Sequence, residues 1–248
     1  MENKIYKSTI NGSIAGGLGY IITLPLDAIK QNAQIGNKNI VNNFHTYFKG
    51  GLLGLSSIVP QMAIKFTTNT WIQNNYNINP YIVGFIAGSL DGAFLGPILA
   101  SQSLQQINNK LTYIQSFKIL GNSITNIKLL NLCVPMGLRN GIYTSMIFGT
   151  YKLIPNKKNT FIQDLYYTSL INIPATILSC PTDVIRANQI KFLLENKNIN
   201  FLNVSNQIYK LNGIKGFYQG YRMFYINFAI RFPLTFSLFN YLNSLNNI

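Results

Sequence analysis

Three prolines in the chain are each followed by two positions, three residues apart, where an acid and a base can form a pair. In chain order these positions hold Asp27 with Lys30, Leu99 with Gln102, and Asp183 with Arg186. An acid and a base repeated around a threefold axis can close a ring of ion pairs, in which each acid meets the next copy's base. Solvent-exposed ion pairs stabilise a structure by only about 0–1 kcal/mol each, so such a ring forms a gate that opens easily.

After the second of these prolines neither position can ionise, so the predicted ring of ion pairs is incomplete. Asp27 is therefore expected to face Gln102, and Arg186 is expected to face Leu99. Only Asp183, after the third proline, and Lys30, after the first, remain as a full ion pair. The sequence thus predicts a weaker gate than a complete ring would give.

Four further ionisable side chains lie inside long apolar segments. An arginine in the middle of an apolar span costs about 2.5–3.5 kcal/mol on insertion scales, so Arg139 and Arg231 are expected to face a wet cavity. Lys65 is expected to line the same cavity. The two arginines could bind a carboxylate or phosphate group there, each through two parallel hydrogen bonds. Asp91 is expected to pair with Arg139 or Lys65, or to bind a proton or a cationic group of a solute.

The apolar segments that must position these residues are long enough to cross a membrane. Of the 248 residues, 48% are hydrophobic and 10% are charged, against about 25% charged in a typical soluble domain. About 20 apolar residues make one crossing, which predicts six spans near 8–35, 52–73, 81–106, 129–153, 161–190 and 223–245. The net charge of +14 suits anionic lipid or an anionic solute, and the apolar segments favour these partners over nucleic acid.

Few groups are available for catalysis or for binding a metal. The chain has one histidine, His45, and six acidic residues, with no Ser/His/Asp, Cys/His or paired-carboxylate pattern. Cys133 and Cys180 have no metal-binding spacing around them. The sequence therefore predicts no enzyme, no metal site and no catalytic cofactor.

The chain contains three copies of one unit. The repeated prolines are Pro25, Pro97 and Pro181, spaced by 72 and 84 residues, and each is expected to kink its helix. This spacing holds two spans and a loop, which predicts repeats over residues 1–76, 77–157 and 158–248. Glycines at fourfold spacing before the prolines allow close helix contacts.

Three tandem units, each with a Pro-x-acid-x-x-base motif on an odd-numbered span and an aromatic-basic-Gly turn before an even-numbered span, resemble the mitochondrial carrier family. The resemblance implies an all-α membrane protein with six transmembrane helices in three pseudo-symmetric repeats and short helices on the matrix side. It also implies a functional monomer in the inner mitochondrial membrane, with one central cavity that opens alternately to the two sides. Cardiolipin is expected at the turns ending in Gly50 and Gly220, where helices begin with free N–H groups.

The family places one solute contact on each even-numbered span, seven residues after the glycine of the turn. The matching positions are Ser57, Arg139 with Asn140, and Asn227. Tyr143 lies one turn further along its span and could offer its ring to a base or its hydroxyl to a polar group. Alignment of the third span on Pro233 would move the contact from Asn227 to Ile230.

Both predicted gates depart from the family pattern. Gln34 and Gln106 resemble the glutamines that brace the matrix-side ion pairs in the family. At the opposite gate, the positions where the family places an aromatic residue and an acid hold Asn69-Thr70, Tyr151-Lys152 and Phe239-Asn240, with no carboxylate among them.

The resemblance implies a transporter of a small anionic metabolite. The basic cavity and Tyr143 favour a nucleotide or deoxynucleotide, whereas Arg139 followed by Asn140 also suits a carboxylate or an amino acid. The incomplete gates leave a third hypothesis, a carrier-like membrane protein that does not transport.

Overall fold

The computed structural model of the protein describes residues 2–37, 47–108, 110–123, 126–154, 160–195, 197 and 199–245, and this part of the chain contains helices and turns but no strand. Six helices are long: α1 (Glu2–Gln34), α2 (Gly51–Asn75), α3 (Pro80–Ile107), α5 (Asn126–Tyr151), α6 (Phe161–Leu194) and α8 (Tyr221–Leu245). Two are short: α4 (Tyr113–Ser123) and α7 (Phe201–Asn212). Each long helix corresponds to one predicted span, and the spans predicted near 8–35 and 129–153 end one and two residues beyond α1 and α5. His45 and the loop around it lie outside the described residues.

Local sequence signals start several of these helices. Asn79 accepts a hydrogen bond from the Tyr81 N–H, and Pro80 occupies the first turn of α3, where its missing N–H is not needed. At the start of α6, Thr160 and Gln163 form a capping box. Because Pro25, Pro97 and Pro181 all lie inside described helices, each helix continues past its proline.

The six long helices form a closed ring. In the order α1, α2, α3, α5, α6 and α8, each helix packs against the next, and α8 returns to α1. The helices α1, α3 and α6 also contact one another, and their mutual hydrogen bonds lie near their C-terminal ends. The bundle is therefore drawn together at one end, where the predicted ion-pair gate lies.

The closest helix contact in the ring joins α3 to α5. A Cβ on Gly84 would lie 2.7 Å from the Thr144 carbonyl oxygen, and one on Gly92 would lie 2.7 Å from the Cα of Gly137. A Cβ on Gly88 would meet the carbonyl oxygen of Asn140. Glycines at fourfold spacing thus let two backbones approach, as the sequence predicts.

The outer face of the bundle is apolar, and its interior is rich in charge. Large apolar side chains are exposed on the outside, among them Phe94 at 71% and Ile162 at 74%, while Asp91 and Asp183 are fully buried. A large exposed apolar surface marks a contact with lipid or protein. By length and apolar character, two helical segments in the described part of the chain, Tyr6–Gln34 and Pro80–Ile107, could cross a membrane.

Candidate functional site

Asp183 is the centre of an ion-pair network at the closed end of the bundle. Its carboxylate lies 3.2 Å from Lys30 Nζ on α1, 3.1 Å from Arg139 Nη1 on α5 and 3.1 Å from Arg186 Nε on its own helix. Gln34 also donates to it at 2.8 Å. The predicted contact between Asp183 and Lys30 is therefore present in the structure, with two further cations around the same carboxylate.

Asp27 contacts a cation that the ring pattern did not assign to it. Arg231 Nη2 lies 2.8 Å from Asp27 Oδ2, and Asn227 Nδ2 donates to Oδ1 at 3.2 Å. Lys30 is more distant, at 3.9 Å. Because the second repeat offers no base, the acid of the first repeat pairs with an arginine of α8 instead.

The remaining gate residues make contacts different from those expected. Gln102 donates to the Tyr20 hydroxyl at 2.9 Å, so its amide does not bond Asp27. Arg186 donates to the Ser103 hydroxyl at 2.8 Å, in addition to its bond with Asp183. The Gln106 side chain is buried and has no hydrogen-bond partner within the described residues, so in this state it braces no ion pair.

A second ion pair joins α2 to α3 beside the network. Lys65 Nζ lies 2.9 Å from Asp91 Oδ2, and Asn140 Nδ2 donates to the same oxygen at 2.8 Å. The Asn140 carbonyl oxygen of the side chain accepts from Arg139 Nε at 2.9 Å. Of the partners expected for Asp91, the structure therefore selects Lys65, and Asn140 connects this pair to Arg139 and the network.

Tyr143 and Asn227, two further predicted contact residues, are buried by neighbouring side chains in the structure. Tyr143 packs edge-on against Phe228 and Phe232, and its hydroxyl donates to Asn172, so neither its ring nor its hydroxyl faces a cavity. Asn227 is fully buried, whereas Ile230 is 38% exposed, which favours Asn227 as the inward position on α8.

The cavity among the network residues and the cavity at the opposite end of the bundle differ in volume. At the closed end, a cavity of about 40 Å³ lies among the network residues, Ser57 and Leu99. The open cavity at the other end has a volume of about 670 Å³. It is lined by Phe66, Asn69, Thr70, Gln73, Phe148, Tyr151, Lys152, Ile154, Phe161, Asp164, Phe236, Phe239, Asn240, Tyr241, Asn243 and Ser244.

Aromatic side chains at the inner end of the open cavity form a layer across the bundle. The aromatic layer consists of Phe66, Phe148, Phe236 and Phe239, with ring centroids 3.8 to 6.4 Å apart between neighbours. The first three lie nine residues after Ser57, Arg139 and Asn227, respectively. The sequence therefore contains a signal for this layer, a phenylalanine at the same position of each even-numbered span.

Asp164 is a carboxylate of the open cavity that the motif search missed. It belongs to α6 and accepts hydrogen bonds from the Tyr151 hydroxyl and from Asn240 Nδ2, the latter at 2.9 Å. Tyr151 and Asn240 are positions of the predicted gate that lacks an acid. The carboxylate comes instead from α6, which is the fifth predicted span, whereas the family motif places it on even-numbered spans.

Gly50 and Gly220 occupy equivalent places before α2 and α8. Both have left-handed backbone conformations, with φ of 74° and 73°, which glycine adopts without strain. A Cβ on Gly220 would lie 2.9 Å from the backbone of Gln34, and one on Gly50 would lie 3.0 Å from the carbonyl oxygen of Gln102. These turns therefore pack the start of each of the two helices against the end of another.

Comparisons with known proteins agree with this architecture. Residues 157–247 match the profile of the family described as mitochondrial carrier protein. The chain is also similar to mitochondrial ornithine transporter 1 of Saccharomyces cerevisiae, with 22% identity over 254 residues that cover 85% of this chain and 86% of that protein. This chain is therefore similar to the mitochondrial carrier family over its last third, and to a mitochondrial transporter over most of its length.

Proposed function

We propose that this carrier moves an amino acid across the inner mitochondrial membrane by alternating access. The observation that carries the proposal is a chain of alternating charges deep in the bundle, from Lys65 through Asp91, Asn140 and Arg139 to Asp183. An amino acid has a carboxylate and an ammonium group. It can therefore replace one acid and one base of this chain at the same time.

Arg139 connects solute binding to the gate. It occupies a contact position of the family and also binds Asp183. A solute carboxylate that binds this guanidinium in two parallel hydrogen bonds competes with Asp183. Binding then leaves Asp183 with two cations in place of three, which weakens the closed end and favours opening.

The relative in Saccharomyces cerevisiae supports the amino-acid proposal. That protein is named an ornithine transporter, and the similarity covers most of both chains. Ornithine carries one carboxylate and two amino groups, which suits a site that presents carboxylates as well as arginines.

A nucleotide or deoxynucleotide is the second candidate, because the network has more cations than acids. Five cations (Lys30, Lys65, Arg139, Arg186 and Arg231) face three carboxylates (Asp27, Asp91 and Asp183). The excess of two positive charges would favour an anion. This candidate comes second because Arg139 and Arg231 already bind acids, and Tyr143 binds Asn172.

The proposed arrangement in the membrane is six spans in three repeats over 1–76, 77–157 and 158–248, with α4 and α7 on the matrix side. The closed ring of six helices and its apolar outer face support this arrangement. The segment that matches the family profile, 157–247, nearly coincides with the third proposed repeat. We further propose that one chain suffices for transport and that cardiolipin binds at Gly50 and Gly220.

Exchange in liposomes tests the proposed function. The purified protein is reconstituted with cardiolipin, and uptake of labelled ornithine, 2-oxo acids and deoxynucleotides is measured against internal unlabelled solute. We expect uptake of ornithine and a loss of about tenfold or more in Arg139→Ala, because a charge-assisted contact is worth about 1.5–3 kcal/mol. Arg222→Ala is the control, since Arg222 is exposed at the start of α8.

The other results of this experiment distinguish the alternatives. Uptake of deoxynucleotides without ornithine would favour the nucleotide carrier. Folded protein that takes up none of these solutes would favour a carrier-like protein that does not transport.

A further inference from the structure

Asp164 differs from the other buried carboxylates of the bundle in its surroundings. It is 3% exposed and lines the open cavity. Asp27, Asp91 and Asp183 each have a lysine or arginine within 3.2 Å. In the described part of the chain, no basic side chain lies within 4.0 Å of Asp164, whose two partners, Tyr151 and Asn240, are neutral.

A buried carboxylate without a cation is unfavourable, because a charge removed from water needs a charged or well-bonded partner. Two hydrogen bonds offset part of this cost for Asp164. Among the described residues no side chain supplies the positive charge that would offset the rest, and the cavity leaves room for a solute to supply it.

The surface around Asp164 also suits an organic cation. Phe161, Phe236 and Tyr241 line the same cavity, and aromatic ring faces attract ammonium and guanidinium groups. Asn69, Thr70 and Gln73 offer neutral hydrogen-bonding groups. Lys152 is the one basic side chain among the described residues of the lining. The cavity therefore lacks the excess of positive charge found in the ion-pair network at the closed end.

We propose that Asp164 binds the cationic end of the solute, an ammonium or guanidinium group on an alkyl chain, when the solute enters the open cavity. This inference rests on the proposed transport of an amino acid and predicts a preference for basic over neutral amino acids. Asp164 and the aromatic layer line the open cavity, whereas the ion-pair network lines the small cavity at the closed end. Asp164 is therefore an entry site, which selects cationic solutes before they reach Arg139.

Uptake of two amino acids that differ in side-chain charge tests the proposal. Ornithine has a side-chain ammonium group, whereas citrulline has a neutral ureido group in its place. We expect Asp164→Asn to raise the KM for ornithine about tenfold, because it removes a charge-assisted contact, and to leave the KM for citrulline unchanged. Asp164→Glu keeps the charge and is expected to retain the preference for ornithine.

Two results would overturn the entry site. In the first, wild type carries amino acids, and Asp164→Asn impairs ornithine and citrulline equally; the proposed function then stands without the entry site. The second comes from binding of 1,5-diaminopentane, which has no carboxylate and needs no transport. We expect this diamine to raise the Tm of the wild type but not of Asp164→Asn, and an equal shift in both proteins would reject the site even if no amino acid is carried.

Discussion

Arg139 on α5 donates a hydrogen bond to Asp183 on α6, with 3.1 Å between Nη1 and Oδ1. The bond joins a contact position of the family to the carboxylate at the centre of the closed end. The same guanidinium also lies 5.6 Å from the centroid of the Phe228 ring, measured from Cζ. In the proposed function, a solute bound at Arg139 would therefore act on Asp183 directly, without a relay through other residues.

Asp183→Asn is expected to destabilise the protein. It leaves Lys30, Arg139 and Arg186 around a neutral amide, and removal of one partner from a buried ion pair costs about 3–5 kcal/mol. Thermal unfolding in detergent measures the change. The control is Glu195→Gln, which breaks an exposed pair with Lys197 and should change stability by about 1 kcal/mol or less. Equal Tm values for Asp183→Asn and wild type would contradict the central role of this carboxylate.

Lys65 and Asp91 are expected to show strong coupling in a double-mutant cycle. Lys65→Met leaves a buried carboxylate and Asp91→Leu leaves a cation without its acid, so each single change should cost about 3–5 kcal/mol. The double variant should be much closer to wild type, since a buried pair can be replaced by apolar residues at little cost. Unfolding free energies of the four proteins give the coupling. Additive effects would show that the two side chains do not stabilise each other.

Gly88→Ala is expected to destabilise the contact between α3 and α5. The added Cβ meets the backbone carbonyl of Asn140, which cannot move aside as a flexible side chain can, and overpacking costs about 1–3 kcal/mol. The matched control is Gly17→Ala in α1, where a Cβ has no neighbour within 4 Å. The control should be neutral or more stable by about 0.5–1 kcal/mol, because alanine favours a helix interior. A Gly88 variant as stable as the Gly17 variant would rule out the close helix approach.

Gln34 and Gln106 are expected to respond in opposite ways to replacement by leucine. Gln34→Leu removes a 2.8 Å hydrogen bond to Asp183, and hydrogen bonds to charged groups are worth about 1.5–3 kcal/mol. Gln106→Leu removes a buried amide that has no partner in the described residues, so stability should stay equal or rise. Thermal unfolding of the two variants in the same detergent is the measurement. A larger loss in Gln106→Leu than in Gln34→Leu would contradict these assignments.

The long helices and the contact between Lys30 and Asp183 could be predicted from the sequence, because they depend on local patterns. Apolar runs and Pro-containing motifs fix where each span lies, and repetition of the motif brings the acid of one copy near the base of another. The pairing of Asp91 with Lys65 was one of several expected outcomes. Packing between α2 and α3, which no local pattern specifies, selected it.

The contacts of Asp27, Tyr143 and Asp164 could not be predicted, because they depend on which helices become neighbours. Asp27 pairs with Arg231 since α8 closes the ring against α1. Tyr143 turns toward Asn172 on α6 rather than toward a cavity. Asp164 lies outside every motif and gains its importance only where α5, α6 and α8 meet.

The aromatic layer bears on proton leakage through the proposed transporter. Ion pairs can open while water passes among the charges, whereas a narrow apolar constriction expels water by dewetting. The rings of Phe66 and Phe148 lie 5.7 Å apart and those of Phe148 and Phe236 lie 6.2 Å apart, so an apolar constriction here would need no titrating group. If the proposed transport is correct, a protein without carboxylates at the family positions of this gate would still remain tight to protons and preserve the membrane potential between transport cycles.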